Sequence, residues 1–502
     1  MSKLEITKIS WERVYLVIKF DHRIENDLYL CDETLGKKKI CSDYIENDTL
    51  KMPITCAYDD TMIDSGNWTF IYNDEPVLIS LDECKKLDDL SRVFYYRKIF
   101  AYIVTFNIND NLELIMNINY MKKNNKPNKD RLYKIIPKLY YKICLLFSRK
   151  KGNTILFMSE TRDDLEGNLK ALSDRMIERG LDKEYKLTYS FNKLLDGSLS
   201  PKYFLKAIKK IAKADYIFID DYAPTFGVIK LKNTKLIQVW HAGVGFKSVG
   251  YSRFGKEGSP HPLISAHRNY DYATVASEAL ISTYQEVFGL TKDHFLVPGM
   301  LRLDGYLDKD KINKTKEMIY EKYPSIKDKK VILFAPTYRG MGQREAYYDY
   351  DKIDFDELYK VCKKENYVVL FKMHPFIDEK VPIKDEYKDL FINVKDYKDI
   401  NELFYITDIL ITDYSSAIYE YSLFEKPIIF FDYDKDEYQV IRGVHNNLDD
   451  SPGDVCESFE EVLDLLKNKK FNIDKVKEYK NKNILIQEEL ACDKLIKMIF
   501  NK

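Results

Sequence analysis

The chain reads as an α/β protein with two successive parallel-sheet lobes behind a β-rich N-terminal region. Three observations predict this. From Thr154 onward, short apolar runs alternate with segments of helical periodicity, as expected of strands covered on both faces. The alternation restarts after the Lys-rich connection Asp308–Lys330, which calls for a second sheet. Before residue 125 the runs alternate apolar with polar and are bounded by Asp, Asn and Gly turns, the mark of antiparallel strands.

At 502 residues the chain is too long for one hydrophobic core. The divisions expected are a β-rich accessory domain (1–125), a basic amphipathic linker or helix (126–151), an N-terminal Rossmann-like lobe (152–310), a C-terminal Rossmann-like lobe (311–475) and a closing helix (476–502). Strands of the first lobe are placed at Thr154–Met158, Tyr216–Ile219, Leu236–Trp240 and Tyr272–Val275. Those of the second are placed at Val331–Ala335, Tyr367–Phe371, Ile409–Thr412 and Pro427–Phe431. In the first 125 residues, strands are read at Val14–Phe20, Trp68–Tyr72, Val77–Leu81, Phe100–Phe106 and Leu112–Tyr120, forming a sandwich or small barrel.

The charge balance, 79 basic against 80 acidic side chains, gives no general affinity for nucleic acid. Eight cysteines without a C-x-x-C pair suit reduced structural thiols and give no zinc signature. Met1-Ser2-Lys3-Leu4-Glu5 has no signal-peptide core, and no apolar run approaches the roughly 18 residues that cross a bilayer. The expectation is a cytoplasmic protein, free or peripheral on the inner face of the cell membrane. Lys134, Lys138 and Lys142 recur at i, i+4 beside a separate apolar face of Leu132, Ile135, Leu139, Ile143 and Leu146. Such a helix suits an anionic membrane surface. It equally suits a linker packed between domains, and Pro137 weakens it.

Chemistry gathers where predicted strands end. Of seven histidines, His241 and His374 each close an apolar run inside a compact motif, Val239-Trp240-His241-Ala242-Gly243 and Lys372-Met373-His374-Pro375. Imidazole is the side chain best placed near neutral pH to take a proton from an alcohol. A lone histidine is more often a satisfied structural group; a strand-end histidine in each lobe favours function. In Asp413-Tyr414-Ser415-Ser416, a strand runs into a helix start, where amides and hydroxyls suit a phosphate. An ordinary N-cap is the alternative. Arg339, in Pro336-Thr337-Tyr338-Arg339-Gly340, carries a fork suited to a phosphoryl group, with a surface salt bridge as the competing reading. Glu420, one turn past Ser416, suits a ribose or polyol hydroxyl, or plain solvent. Asp349, Asp351, Asp354 and Asp356 lack the spacing of a calcium loop, and no Gly-rich P-loop or dinucleotide fingerprint is present. No metal site is evident; Mg²⁺ stays open.

These motifs resemble the CDP-glycerol glycerophosphotransferase family, the teichoic acid primases and polymerases. The resemblance rests on Trp240-His241, Pro298-Gly299-Met300-Leu301-Arg302-Leu303-Asp304, Ala335-Pro336-Thr337-Tyr338-Arg339, Lys372-Met373-His374-Pro375 and Thr412-Asp413-Tyr414-Ser415-Ser416. The run from Phe431-Asp432-Tyr433-Asp434 through Arg442-Gly443 to Pro452-Gly453 is similar too. The resemblance covers about residues 150–500 and implies a GT-B-like fold with a cleft between two Rossmann-type lobes. It implies His241 and His374 as the catalytic pair, and Thr337, Arg339, Ser415 and Ser416 as the residues holding the donor phosphates; Lys372, Asp413 and Glu420 join them as donor-side candidates. Gly243, Lys247, Arg302, Asp304 and Arg442 are further candidates. The activity implied moves a polyol phosphate from a CDP-polyol to a lipid-linked teichoic-acid-type or capsular polymer, releasing CMP. Trp240-His241-Ala242-Gly243 resembles the ribitol-phosphate branch more than the glycerol one. A nucleotide-sugar glycosyltransferase of the same architecture, and a non-catalytic membrane scaffold, are the rival readings.

Overall fold

Strands buried on both faces need apolar side chains at every position, and the central runs supply them: Ile332, Leu333, Val368, Val369, Leu370, Leu410 and Ile429 are all fully buried. A computed structural model describes residues 3–32, 36–55, 61–96, 100–109, 111–122, 130–148, 150–192, 201–241, 249–254, 260, 265–340, 345–441, 451–484 and 489–502. Among them, two parallel six-stranded sheets form the lobes. The first runs Lys186–Phe191, Thr154–Ser159, Tyr216–Ile219, Lys235–Gln238, Tyr272–Thr274, Phe295–Leu296. The second runs Phe391–Asn393, Tyr367–Phe371, Lys330–Phe334, Ile409–Thr412, Ile428–Phe431, Asp454–Cys456. In each, the chain winds outward in both directions from one strand. The crevice at that reversal, outside the carboxyl ends, is where such sheets bind ligands.

The accessory domain is a two-sheet sandwich, one sheet built on Glu5–Glu12 and Tyr15–Phe20, the other on Phe100–Ile108 and Leu114–Lys122. Ile9, Ile18 and Leu50 from the first share a core with Trp68, Phe70, Tyr102 and Met116 from the second. The sandwich is seated firmly on the first lobe. Arg13 donates twice to the carboxylate of buried Glu286 (2.8 and 2.9 Å), Tyr15 Oη donates to the Ser282 carbonyl (2.9 Å), and Phe254 stacks on Phe94 (4.8 Å).

The tail is three helices, Phe459–Asn468, Ile473–Asn483 and Ala491–Phe500, and the last returns to the first lobe. There Leu495 and Ile496 pack with Ile155, Phe157 and Leu172, and Arg175 forks onto Asp493 (2.9 and 2.6 Å). The basic segment is one helix, Asp130–Leu146, continuous through Pro137. Buried Tyr141 packs it against the first lobe. Its apolar face is not covered: Ile135, Ile136, Leu139, Ile143, Leu146 and Phe147 are 43% to 83% exposed.

Candidate active site

Both histidines sit at carboxyl ends of strands next to the reversal of their sheets. His241 follows the Lys235–Gln238 strand, and its Nδ1 lies 2.9 Å from the carbonyl oxygen of Asp220, which ends the neighbouring strand. A carbonyl only accepts, so Nδ1 carries the hydrogen and Nε2 keeps its lone pair. That is the form a general base needs. Asp221 Oδ2 lies 3.8 Å from Nδ1. His374 has the opposite arrangement. Its Nδ1 accepts from the Phe376 amide (3.2 Å), which puts the hydrogen of the neutral ring on Nε2. Tyr338 (4.6 Å) and Phe376 (4.8 Å) hold the ring between them.

The His241 turn is tightly built. Trp240 adopts φ of +41°, a left-handed conformation rare for a bulky residue and frequent at functional sites when its surroundings enforce it. Buried Gln238 accepts from the Trp240 amide (2.8 Å) and donates to the Asp221 carbonyl (3.0 Å). Buried Asn168 donates to the carbonyls of Val239 (3.0 Å) and Trp240, and accepts from the Arg302 amide (3.0 Å). Sequence reasoning missed both amides. Gln238 is hidden inside an apolar run, and Asn168 lies some seventy residues away in a helix with no motif of its own.

On the second lobe, the two strands flanking the reversal are tied at their ends. Asp413 Oδ1 accepts from the Thr337 amide (2.7 Å), and its Oδ2 accepts from Arg339 Nη1 (2.8 Å). Arg339 completes its fork on Asp434 (2.5 and 2.8 Å), and its Nη1 also reaches the Thr337 hydroxyl (3.2 Å). Rings of Tyr348, Tyr414, Tyr433 and Tyr438 surround the guanidinium at 5.0–5.9 Å. Burial opposes the charge, but Asp413 and Asp434 outweigh it and hold the Arg339 pKa above its ordinary value. Burial also pushes the Asp432 carboxyl up to about 6, against a hydrogen bond from Tyr414.

The structure therefore reassigns several candidates. Arg339 and Thr337 are buried parts of an internal ion network and present no open fork to a phosphate; the carboxylates are simply nearer. Lys372 is buried and donates to the Lys395 carbonyl (2.7 Å), while burial lowers its pKa. Glu420 is buried against Arg302, an ion pair that joins the lobes, so neither is presented to a ribose. Asp304 accepts from the amides of Ala491 (2.8 Å) and Cys492 (2.9 Å) and caps the returning C-terminal helix. Ser415 and Ser416 stay part-exposed at the start of Ala417–Tyr421. Ser415 Oγ accepts from the Ala417 amide (3.2 Å), as a cap does, and keeps its own hydrogen to donate. With five residues, that helix brings only a small dipole. Gly243, Lys247 and Arg442 lie outside the described residues. Among the described residues, no group of three or more His, Cys, Asp or Glu is arranged to hold a metal ion.

Residues 139–501 match the CDP-Glycerol:Poly(glycerophosphate) glycerophosphotransferase family. The chain belongs to that family. It is 37% identical over 385 residues, 76% of this chain and 67% of the relative, to the teichoic acid ribitol-phosphate polymerase TarL of Staphylococcus aureus. With TarK of the same organism, a teichoic acid ribitol-phosphate polymerase, it shares 37% over 367 residues, 73% of this chain and 72% of the relative. The teichoic acid glycerol-phosphate primase of Bacillus subtilis is 32% identical over 292 residues, 56% of this chain and 72% of the relative. The solved wall teichoic acid polymerase TagF superposes with a TM-score of 0.58 at 22% identity, over 75% of this chain and 98% of that one. This supports the GT-B-like pair of lobes. Membership makes the protein a CDP-polyol phosphotransferase and removes the nucleotide-sugar and scaffold readings.

Proposed function

We propose that this enzyme transfers ribitol phosphate from CDP-ribitol to a lipid-linked teichoic-acid-type polymer on the inner face of the cell membrane, releasing CMP. The opposite tautomers of His241 and His374 carry the reading: one imidazole accepts at Nε2, the other donates there. The acceptor hydroxyl gives its proton to His241 Nε2 as its oxygen attacks the distal phosphorus in line, and the bond to CMP breaks. His374 Nε2–H and the Ser415 and Ser416 hydroxyls meet charge on the phosphates. Arg339, Asp413 and Thr337 position the turn beside them. Ribitol is favoured over glycerol by the Ala242-Gly243 motif and by the names of TarL and TarK.

Purified enzyme given CDP-ribitol or CDP-glycerol separately, with a lipid-linked acceptor, is expected to release CMP faster from CDP-ribitol. Faster release from CDP-glycerol overturns the polyol assignment, and release from neither overturns the donor. We also propose that no metal is obligatory, since the protein's own donors face the phosphates. Turnover should persist in excess EDTA; loss that only Mg²⁺ restores would show the opposite.

Attachment to the membrane is proposed through the helix Asp130–Leu146. At about 100° per residue, Ile135, Leu139, Ile143 and Leu146 fall within about 80° of one another. All four are exposed, with Lys138 and Lys142 at one margin. An apolar stripe edged by lysine suits the interface of an anionic bilayer. Among the described residues no helix is long and apolar enough to cross a membrane.

A further inference from the structure

We infer that a cavity beside the Asp130–Leu146 helix seats the phosphate of an anionic membrane lipid. This deepens the membrane reading above and rests on it. The cavity, about 420 Å³, lies between that helix and the segment following Thr225–Val228. Five cationic side chains line it: Lys138 and Lys142 from the helix, Lys230 and Lys232 from the segment, and Arg268 opposite. No carboxylate stands among its described lining residues. The four lysines are exposed, and none forms an ion pair within the described chain. In a protein whose net charge is only −1, this is a local excess of positive charge that calls for an anion.

The walls say which kind of anion. Arg268 is fixed by donating to the carbonyls of Thr55 (2.7 Å) and Gly289 (3.3 Å), so part of the positive edge is rigid. Ser265 and Asn269 add polar groups, while Tyr141, Leu145, Phe226 and Ile229 give the lining an apolar part, which a freely hydrated phosphate has no use for. Lys138 and Lys142 stand on the helix between the cavity and the exposed stripe of Ile135, Leu139 and Ile143. A phosphodiester seated among the lysines therefore has an apolar surface directly alongside for its acyl chains. Lipid satisfies both halves of the site; a soluble polyol-phosphate polymer satisfies only one.

Vesicle flotation tests this, with phosphatidylcholine alone or mixed with phosphatidylglycerol. The wild-type protein should bind both and prefer the anionic vesicles. The triple variant K138Q/K142Q/K230Q should lose about five-fold per lysine, on the order of 100-fold in all, on anionic vesicles only. Its binding to phosphatidylcholine and its melting temperature should not change. Removing three exposed lysines outside the cavity (K309Q/K314Q/K364Q) should leave the preference intact, and L139S/I143S should lose binding to both vesicles. Undiminished preference in the cavity variant overturns the inference while leaving membrane attachment standing. Equal loss in the control variant does the same, because it reduces the effect to overall charge. Wild-type protein that binds neither vesicle overturns both. Millimolar inorganic phosphate should not strip wild-type protein from anionic vesicles; if it does, the cavity is a soluble-anion site and the lipid assignment is wrong.

Discussion

His241→Ala is expected to lower CMP release by about two to four orders of magnitude with little change in affinity for the CDP-polyol. The split follows from position. His241 belongs to the first lobe, held by Asp220 and Asp221, whereas the turns proposed to hold the donor belong to the second. Removing the imidazole takes away the proposed proton acceptor but none of the contacts proposed for the donor. Equilibrium binding of CDP-polyol, measured beside single-turnover rates, separates the two. Near-normal turnover in the variant would take His241 out of the role. A rate loss that comes entirely from weaker donor binding would move it to the donor side. Asp221→Asn offers a finer check. It removes the carboxylate 3.8 Å from Nδ1 but leaves the Nδ1 partner, the Asp220 carbonyl, in place, so its loss should be smaller than that of His241→Ala.

Asp413→Ala is expected to destabilise the fold by about 3–5 kcal/mol, the range for breaking one side of a buried ion network. Asp413 is 1% exposed and Arg339 6%, so water cannot replace what is lost. The variant leaves the Thr337 amide without its acceptor and Arg339 with Asp434 as its one remaining carboxylate among the described residues. Urea unfolding measures the loss. Asp413→Asn, which keeps an acceptor for the Thr337 amide, should lose less. A change below about 1 kcal/mol in Asp413→Ala would mean that the network relaxes freely and does not define the turn. Asp413→Ala should also weaken donor binding, because Thr337 and Ser415 follow the two strands that Asp413 links.

The central strands were legible because burial on both faces forces unbroken apolar runs. The four lobe strands that went unread, Lys186–Phe191, Phe295–Leu296, Phe391–Asn393 and Asp454–Cys456, are all at sheet edges. An edge strand packs less of its surface, as the half-buried Lys186–Phe191 shows, and so carries no such run. The site divides in the same way. His241 and His374 announced themselves by standing at strand ends. The pairings of Arg339, Lys372, Glu420 and Asp304 did not, since each partner lies in another segment brought close only by the fold. A motif fixes which residue sits at a turn, but whether its charge faces a ligand depends on carboxylates or carbonyls elsewhere. Asn168 shows the converse, an ordinary helix residue made important by what the fold delivers to it.

The return of Ala491–Phe500 to the first lobe has a consequence for biosynthesis. Ala491, Cys492, Leu495 and Ile496 complete a core shared with Phe218, Ile237 and Val239, the strands that lead to Asp220 and His241. A ribosome finishes that lobe's sequence long before it delivers the final helix. The nascent chain thus holds an unfilled apolar groove against the sheet until Ala491–Phe500 is delivered, and the second lobe can close its own core first. The half of the enzyme that is made earlier matures later, so His241 reaches its final geometry only once Ala491–Phe500 has docked.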